Sequence, residues 1–260
     1  MEKLDFLITY LLKERNEKLD LTELSYEDKK RIFRSLCNLR EPEKTTESFL
    51  RIQDMYLQEE IKEKGITENI EDSKMKDKIY LWKGDITTLK IDAIVNAANS
   101  QGLGCFIPCH KCIDNQINTY AGIELRLECN EVMKKRNYFL HTGEAFITKG
   151  YNLPAKYIIH TVGPIIEKNV TKDDEKALAN CYINSLELAI KNNIKTIAFP
   201  CISTGEFRFP KVMASKIAIT TVNKFLDKYS DKFEKIVFNV FGEEDYEIYE
   251  TNLRKGKEFN

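Results

Sequence analysis

The chain has 260 residues, 42% of them hydrophobic and 31% charged, with 40 Lys plus Arg against 41 Asp plus Glu. This is the make-up of an ordinary globular protein, long enough for one large domain or one domain with an extension. A formal net charge of -1 supplies no broad field for nucleic acid or a membrane surface, so any anionic ligand must be held locally.

The opening Met1-Glu2-Lys3-Leu4-Asp5 lacks the basic-then-apolar shape of a secretory signal. No apolar run of transmembrane length follows, so a cytoplasmic location is expected. Residues 1–75 are rich in Glu, Lys, Leu and Arg and read as a helical extension. Phe6, Tyr10 and Leu11 mark a first helix. Ser25 caps a second, whose apolar stripe is Ile32, Phe33 and Leu36. A third runs from about Thr46 to Ile61 and ends at Gly65. The polar stretch 66–78 reads as a connector.

From residue 76 to 260 the pattern changes to that of a second domain. Short β-branched runs at 79–82, 93–95, 145–148, 157–161, 196–199 and 236–240 alternate with amphipathic stretches at about 114–136, 173–192, 210–229 and 243–254. Alternation of this kind predicts an α/β fold with a mainly parallel or mixed sheet covered on both faces. Ligands of such sheets bind beyond the carboxyl ends of the strands, where four motifs fall. Gly84-Asp85-Ile86-Thr87 offers a turn carboxylate able to accept from an exocyclic amine. Asn96-Ala97-Ala98-Asn99 brackets two small residues with amides suited to sugar hydroxyls. Ser203-Thr204-Gly205-Glu206-Phe207, between a strand and a helix that Pro210 opens, exposes backbone N–H groups to a diphosphate.

The remaining motif, 102–115, concentrates Cys105, Cys109, His110 and Cys112 within eight residues. Two thiolates and an imidazole in Cys-x4-His-x-Cys spacing suit one Zn²⁺ ion on Cys105, His110 and Cys112, with Cys109 in reserve. No second nearby cysteine pair closes a four-ligand structural site, so an open, catalytic site is expected. The bland alternative is a set of reduced, partly buried cysteines, and Cys109-x2-Cys112 also fits a dithiol switch. Cys129, Cys181 and Trp82 read as core, and His160 as a packed, hydrogen-bonded strand residue. Neither His160 nor His141 is given a role.

Taken in order, Gly84-Asp85-Ile86-Thr87, Asn96-Ala97-Ala98-Asn99, His160-Thr161-Val162-Gly163-Pro164 and Ser203-Thr204-Gly205-Glu206-Phe207 resemble a macrodomain. The cysteine–histidine insertion and the helical extension resemble the zinc-dependent microbial, MacroD-like branch. The resemblance implies a three-layer αβα fold with a crevice for ADP-ribose. Asp85 and Ile86 would meet the adenine, with Phe241 stacked on it, and Ser203, Thr204, Gly205, Glu206 and Phe207 would wrap the diphosphate. Asn99 would contact the distal ribose. Asp114 matches the aspartate after the glycine-rich loop of hydrolytic relatives, so Asn99 and Asp114 are the candidate catalytic residues. Family members often carry Ile-His where this chain has Ile117-Asn118, and Asn118 is given no catalytic weight.

The activity implied is hydrolysis of mono-ADP-ribose from modified proteins, ester-linked to acidic side chains, with zinc orienting the distal ribose. The substrate implied is a lipoyl-carrier protein modified by a sirtuin-type transferase. Neither nucleic acid nor membrane is expected as a partner. The alternative is a reader module that binds ADP-ribose without cleaving it.

Overall fold

The computed structural model describes residues 3–255. Three helices open it: α1 (Lys3–Glu14), α2 (Tyr26–Leu39) and α3 (Glu47–Lys64). Ser25 caps α2 by accepting from the Asp28 amide at 3.2 Å, and Thr46 caps α3 by accepting from the Phe49 amide at 3.3 Å. Leu4, Leu7, Ile8 and Leu11 recur at helical spacing along α1, and all are buried against Phe33, Leu36, Phe49 and Leu57. Each such side chain contributes roughly 1.5–3 kcal/mol by leaving water, which gives the extension a core of its own.

The sheet contains β1 (Lys74–Lys76), β2 (Ile79–Lys83), β3 (Ala93–Ala97), β4 (Ala145–Lys149), β5 (Tyr157–Thr161), β6 (Thr196–Phe199) and β7 (Lys235–Val240), in the order β1-β2-β7-β6-β3-β5-β4. The five inner strands are parallel, and the two edge strands, β1 and β4, run antiparallel to their neighbours. Alternation along the strands serves two cores. Ala93 and Val95 of β3 face a layer built from α6 (Lys172–Lys191), α7 (Lys211–Tyr229) and α8 (Glu243–Lys255), whereas Ile94 faces α4 (Ile113–Ala121) and α5 (Ile123–Lys134). Cys181 lies in the first core and Cys129 in the second. Trp82 is half-buried and packs on the second.

Two expectations are corrected. The stretch read as connector contains β1, a three-residue edge strand from which only Met75 packs inward, too short to carry a period. The helix expected over about 114–136 is two helices, broken at Gly122. Its φ of +97° is costly for any residue with a Cβ, and a Cβ there would lie 2.7 Å from Gln53 Nε2. Gln53, brought in by α3, accepts from the Ile123 amide through Oε1 at 2.9 Å. It thereby satisfies a donor at the start of α5 that has no partner within the helix. Ile123 itself is buried in the core of the extension.

Candidate functional site

The carboxyl ends of β2, β7, β6 and β3 lie side by side, and the loops that follow them frame a crevice of about 930 Å³. Asp85 and Ile86 line it after β2, Ala97 to Asn99 after β3, Ser203 to Phe207 after β6, and Phe241 after β7. Cys105, His110, Cys112 and Asp114 line the same crevice. Every residue given a catalytic, ligand-binding or metal-binding expectation in the sequence is therefore on its wall, whereas Asn96 and Asn118 stand behind it.

At one end Asp85 is fixed from three sides. Its Oδ1 accepts from the Thr87 amide at 2.9 Å and from Thr87 Oγ1 at 2.6 Å, and Oδ2 pairs with Lys64 Nζ at 2.5 Å. Burial pushes this carboxyl up, but the Lys64 and Thr87 contacts outweigh it and hold the carboxyl below the usual carboxylate range. Lys64 is the last residue of α3 and also sits over the Tyr120 ring, 3.6 Å from its centroid. Asn239 of β7 donates to Gly84 O at 2.9 Å and steadies the turn. Phe241 is 80% exposed, an uncommon position for a ring that has no packing role.

The loop after β6 is tight. Ser203 adopts φ +66°, Thr204 Oγ1 donates to Cys201 O at 3.0 Å, and the Phe209 amide donates to Ser203 O at 2.9 Å. A Cβ on Gly163 would lie 1.9 Å from Ser203 Oγ, so only glycine at 163 lets the two loops approach this closely. Ser203 Oγ is buried and has no hydrogen-bond partner among the described residues. Asn99 knits the opposite loop, donating to Gly104 O at 3.1 Å and accepting from the Gln101 and Gly102 amides.

The ligand atoms of Cys105, His110 and Cys112 lie within 4.8 Å of one another, and Cys105 Sγ is 3.7 Å from His110 Nδ1. In a tetrahedral zinc site, bonds of about 2.3 Å to sulfur and 2.0–2.1 Å to nitrogen place neighbouring ligand atoms about 3.6 Å apart, so the trio fits such an ion. Cys109 is not in the trio. Its backbone is left-handed, φ +53°, and its Sγ points instead to Arg31 O at 3.4 Å. His110 Nε2 faces Glu206 Oε1, 3.6 Å away across the crevice. Cys112 caps α4 by accepting from the Asn115 amide, and burial pushes its thiol up to about 12.

In the first turn of α4, Asp114 is 5% exposed. Asn96 Nδ2 donates to its Oδ1 at 2.7 Å, and Asn118 Nδ2 donates to the same atom at 3.1 Å. Burial raises its carboxyl to about 6, against the pull of Asn96 and Arg126. Asn96 Nδ2 also lies 3.1 Å from His160 Nδ1, and His160 Nε2 lies 2.9 Å from Thr148 Oγ1. His160 stacks on Phe146, and burial lowers its imidazole to about 3. It is thus a neutral packed residue, as its strand position suggests. Asn118, which carries no motif signal of its own, is a direct partner of the Asp114 carboxylate.

A macro-domain family profile matches residues 95–218. A protein of Treponema medium named Protein-ADP-ribose hydrolase is 49% identical across 95% of this chain and 97% of its own. One of the same name from Staphylococcus aureus is 43% identical across 98% and 97%. The chain belongs to the macro-domain family. Its fold is that of solved macrodomains. The Oceanobacillus iheyensis macrodomain with ADP superimposes with a TM-score of 0.63 at 39% identity, over 71% of this chain and 95% of that one. The Trypanosoma brucei macrodomain in complex with ADP-ribose gives 0.59 at 38%, over 67% and 68%.

Several residues at this macrodomain's site stand outside the four crevice motifs: Lys64 and Arg34 line the crevice, and Asn38 and Arg126 hold the backbone of the loop that carries Cys105 and Cys109. Lys64, Arg34 and Asn38 come from the extension, and Arg126 from α5. Lys64, Asn38 and Arg126 read in the sequence as further charged or polar side chains on amphipathic helices, and the packing of the extension against the α4–α5 layer gives them their places.

Proposed function

We propose that this macrodomain is a hydrolase that removes mono-ADP-ribose from modified proteins, and that one zinc ion on Cys105, His110 and Cys112 takes part. The observation that carries the reading is the meeting of the two thiols, the imidazole and Asp114 on the wall of a single crevice. A reader of ADP-ribose needs no such cluster beside its pocket. The relatives named Protein-ADP-ribose hydrolase, similar over nearly their full length, support the same reaction class.

In this reading Asp85 accepts from the adenine amine and Phe241 covers the base. The backbone amides of 203–207 hold the diphosphate, helped by the unpartnered Ser203 hydroxyl. Glycosyl cleavage passes through an oxocarbenium-like state, so positioning and local charge supply most of the effect. Asn99 stiffens the loop under the distal ribose. Asn96 and Asn118 both donate to Oδ1 of Asp114, leaving Oδ2 to hold a water and take its proton as the bond to the acceptor side chain breaks. Zinc, when bound, would supply a Lewis acid beside the distal ribose.

The acceptor bond we propose is an ester to an acidic side chain. The substrate is a lipoyl-carrier protein modified by a sirtuin-type transferase, on family resemblance. A cytoplasmic setting is consistent with seven cysteines that are all unpaired. The decisive experiment measures zinc by elemental analysis and ADP-ribose release from an auto-modified transferase, with and without chelator and for Cys105→Ala. One equivalent of zinc and release that chelation abolishes are expected, with ADP-ribose binding retained. Full release from folded, chelated protein would overturn the role of the metal. Tight binding without release in either condition would make the chain a reader.

A further inference from the structure

The extension does more than cover one end of the sheet. Arg34, on the third turn of α2, donates from Nη2 to His110 O at 2.7 Å. The same nitrogen meets Asn115 Oδ1 at 2.7 Å, and Nε meets that oxygen at 3.2 Å. Asn115 in turn donates to Ile107 O at 2.9 Å, so it closes the turn from the other side. One helical turn further along α2, Asn38 Oδ1 accepts from the Cys109 amide at 2.9 Å. That amide belongs to the residue whose left-handed backbone reverses the chain between Cys105 and His110. Left-handed geometry is uncommon for a residue bearing a side chain, and persists where surrounding bonds hold it.

Arg126 fastens the base of the loop to the same helix. Its guanidinium donates to Leu103 O at 2.8 Å and Cys105 O at 3.3 Å on one side, and to Cys37 O, Asn38 O and Arg40 O at 3.2, 2.8 and 2.6 Å on the other. Those last carbonyls lie at the C-terminal end of α2 and its cap, where acceptors run short of helical donors; of the three, Cys37 O also accepts from the Arg40 amide at 3.4 Å. The bonds from Arg34 and Asn38 reach the loop's backbone or its neighbour Asn115, Arg126 ties that backbone to the end of α2, and none of them uses the ligand side chains Cys105, His110 or Cys112.

We infer that α2 is part of the metal-site apparatus, with Arg34 and Asn38 as positioning residues that set the 107–110 turn so that His110 stands opposite Cys105 and Cys112 before any ion arrives. This rests on the reading of the trio as a zinc site. A turn held in advance loses little conformational freedom when the ion binds, which raises affinity. Partners beyond the ligands of a metal site are commonly worth 10–100-fold in affinity. The guanidinium fork makes Arg34 hard to replace by lysine, which cannot bridge two acceptors in one plane.

The test is zinc affinity, measured by competition with a chromophoric chelator, on the full chain and on Arg34→Met, Arg34→Lys and Asn38→Ala. Arg34→Met is expected to weaken zinc at least tenfold, Arg34→Lys to recover only part of the loss, and Asn38→Ala to follow Arg34→Met. In the metal-free proteins, amide exchange across 107–112 should quicken in Arg34→Met while β3 and β5 keep their rates. If Arg34→Met does not fold, Arg34→Lys carries the same comparison. Variants that bind zinc as tightly as the unaltered chain, or exchange that quickens evenly along the whole molecule, would overturn the inference and leave Arg34 as a docking residue. An unaltered chain that takes up no zinc would instead sink the metal reading, and this inference with it.

Discussion

Lys64 Nζ, at the end of α3, sits 2.5 Å from Asp85 Oδ2, the free oxygen of a carboxylate whose other oxygen is held by Thr87. The extension thus reaches the end of the crevice where the base would lie and keeps Asp85 ionised against its burial. Protonated, Asp85 could no longer accept from an adenine amine through both lone-pair sites. In Lys64→Met the burial is unopposed by charge, so the carboxyl titrates at higher pH. The acid limb of ADP-ribose affinity, followed by calorimetry, should move to higher pH in the variant. An unmoved limb would show that the lysine does not govern this carboxylate.

Asp114 lends itself to an isosteric test. Both of its partners are amide donors to Oδ1, and an asparagine can accept both bonds there with its carbonyl oxygen. Asp114→Asn should therefore melt near the unaltered chain and keep ADP-ribose binding. Its turnover should fall by a factor of about 10² or more, the usual contribution of a positioned base. A variant that hydrolyses at the original rate would remove Asp114 from the chemistry.

Phe241 separates binding from stability, whereas Gly163 couples them. With its ring 80% exposed, Phe241→Ala should leave the melting temperature unchanged. ADP-ribose should still bind about tenfold more weakly, since base–aromatic stacking is worth about 1–3 kcal/mol. Gly163→Ala places a methyl 1.9 Å from Ser203 Oγ and 2.9 Å from Ile202 Cγ2. The diphosphate loop must shift, so both affinity and melting temperature should fall. Equal affinities in either variant would detach that residue from the ligand.

His160 makes stability depend on pH. Neutral in the folded protein down to about 3 because it is buried, it gains a proton at about 6.5 when unfolded. Below that pH the unfolded state binds the extra proton, so stability falls with acidification by up to about 1.4 kcal/mol per pH unit until the folded value is reached. Above it the histidine has no effect. Asp114 and Cys129, the titratable neighbours of this network, remain in His160→Gln. The difference between the two denaturation-versus-pH curves from pH 7 to 5 therefore isolates the histidine. Parallel curves would mean that His160 charges in place.

Much of this was legible in the residues. The alternation of β-branched runs with amphipathic stretches gave the layers, because period 2 and period 3.6 are the direct imprint of facing a core. Cys105, His110 and Cys112 meet because they share one short loop, so spacing alone brings them together. What escaped depends on distant packing. β1 is too short to have a period. The break at Gly122 is visible only once Gln53, nearly seventy residues earlier, is known to cap it. Asn118, which departs from the family's usual histidine, is a different case: it lies four residues after Asp114 on α4, a spacing that puts the two side chains on one helix face.

The Arg126 guanidinium is 5% exposed and satisfied in part by three carbonyls near the end of α2, and Ile123 is buried among extension side chains. Compact solved relatives match only about 71% of this chain while using nearly all of their own, which makes trimming to a minimal unit attractive. Here a cut at the connector would strip a cation of three of its five carbonyl acceptors and bare an apolar helix start. Excision would thus cost far more than a solvent-facing appendage should. Anyone shortening this chain for crystals or sensors would do better to retain α1 to α3 and redesign the surface elsewhere.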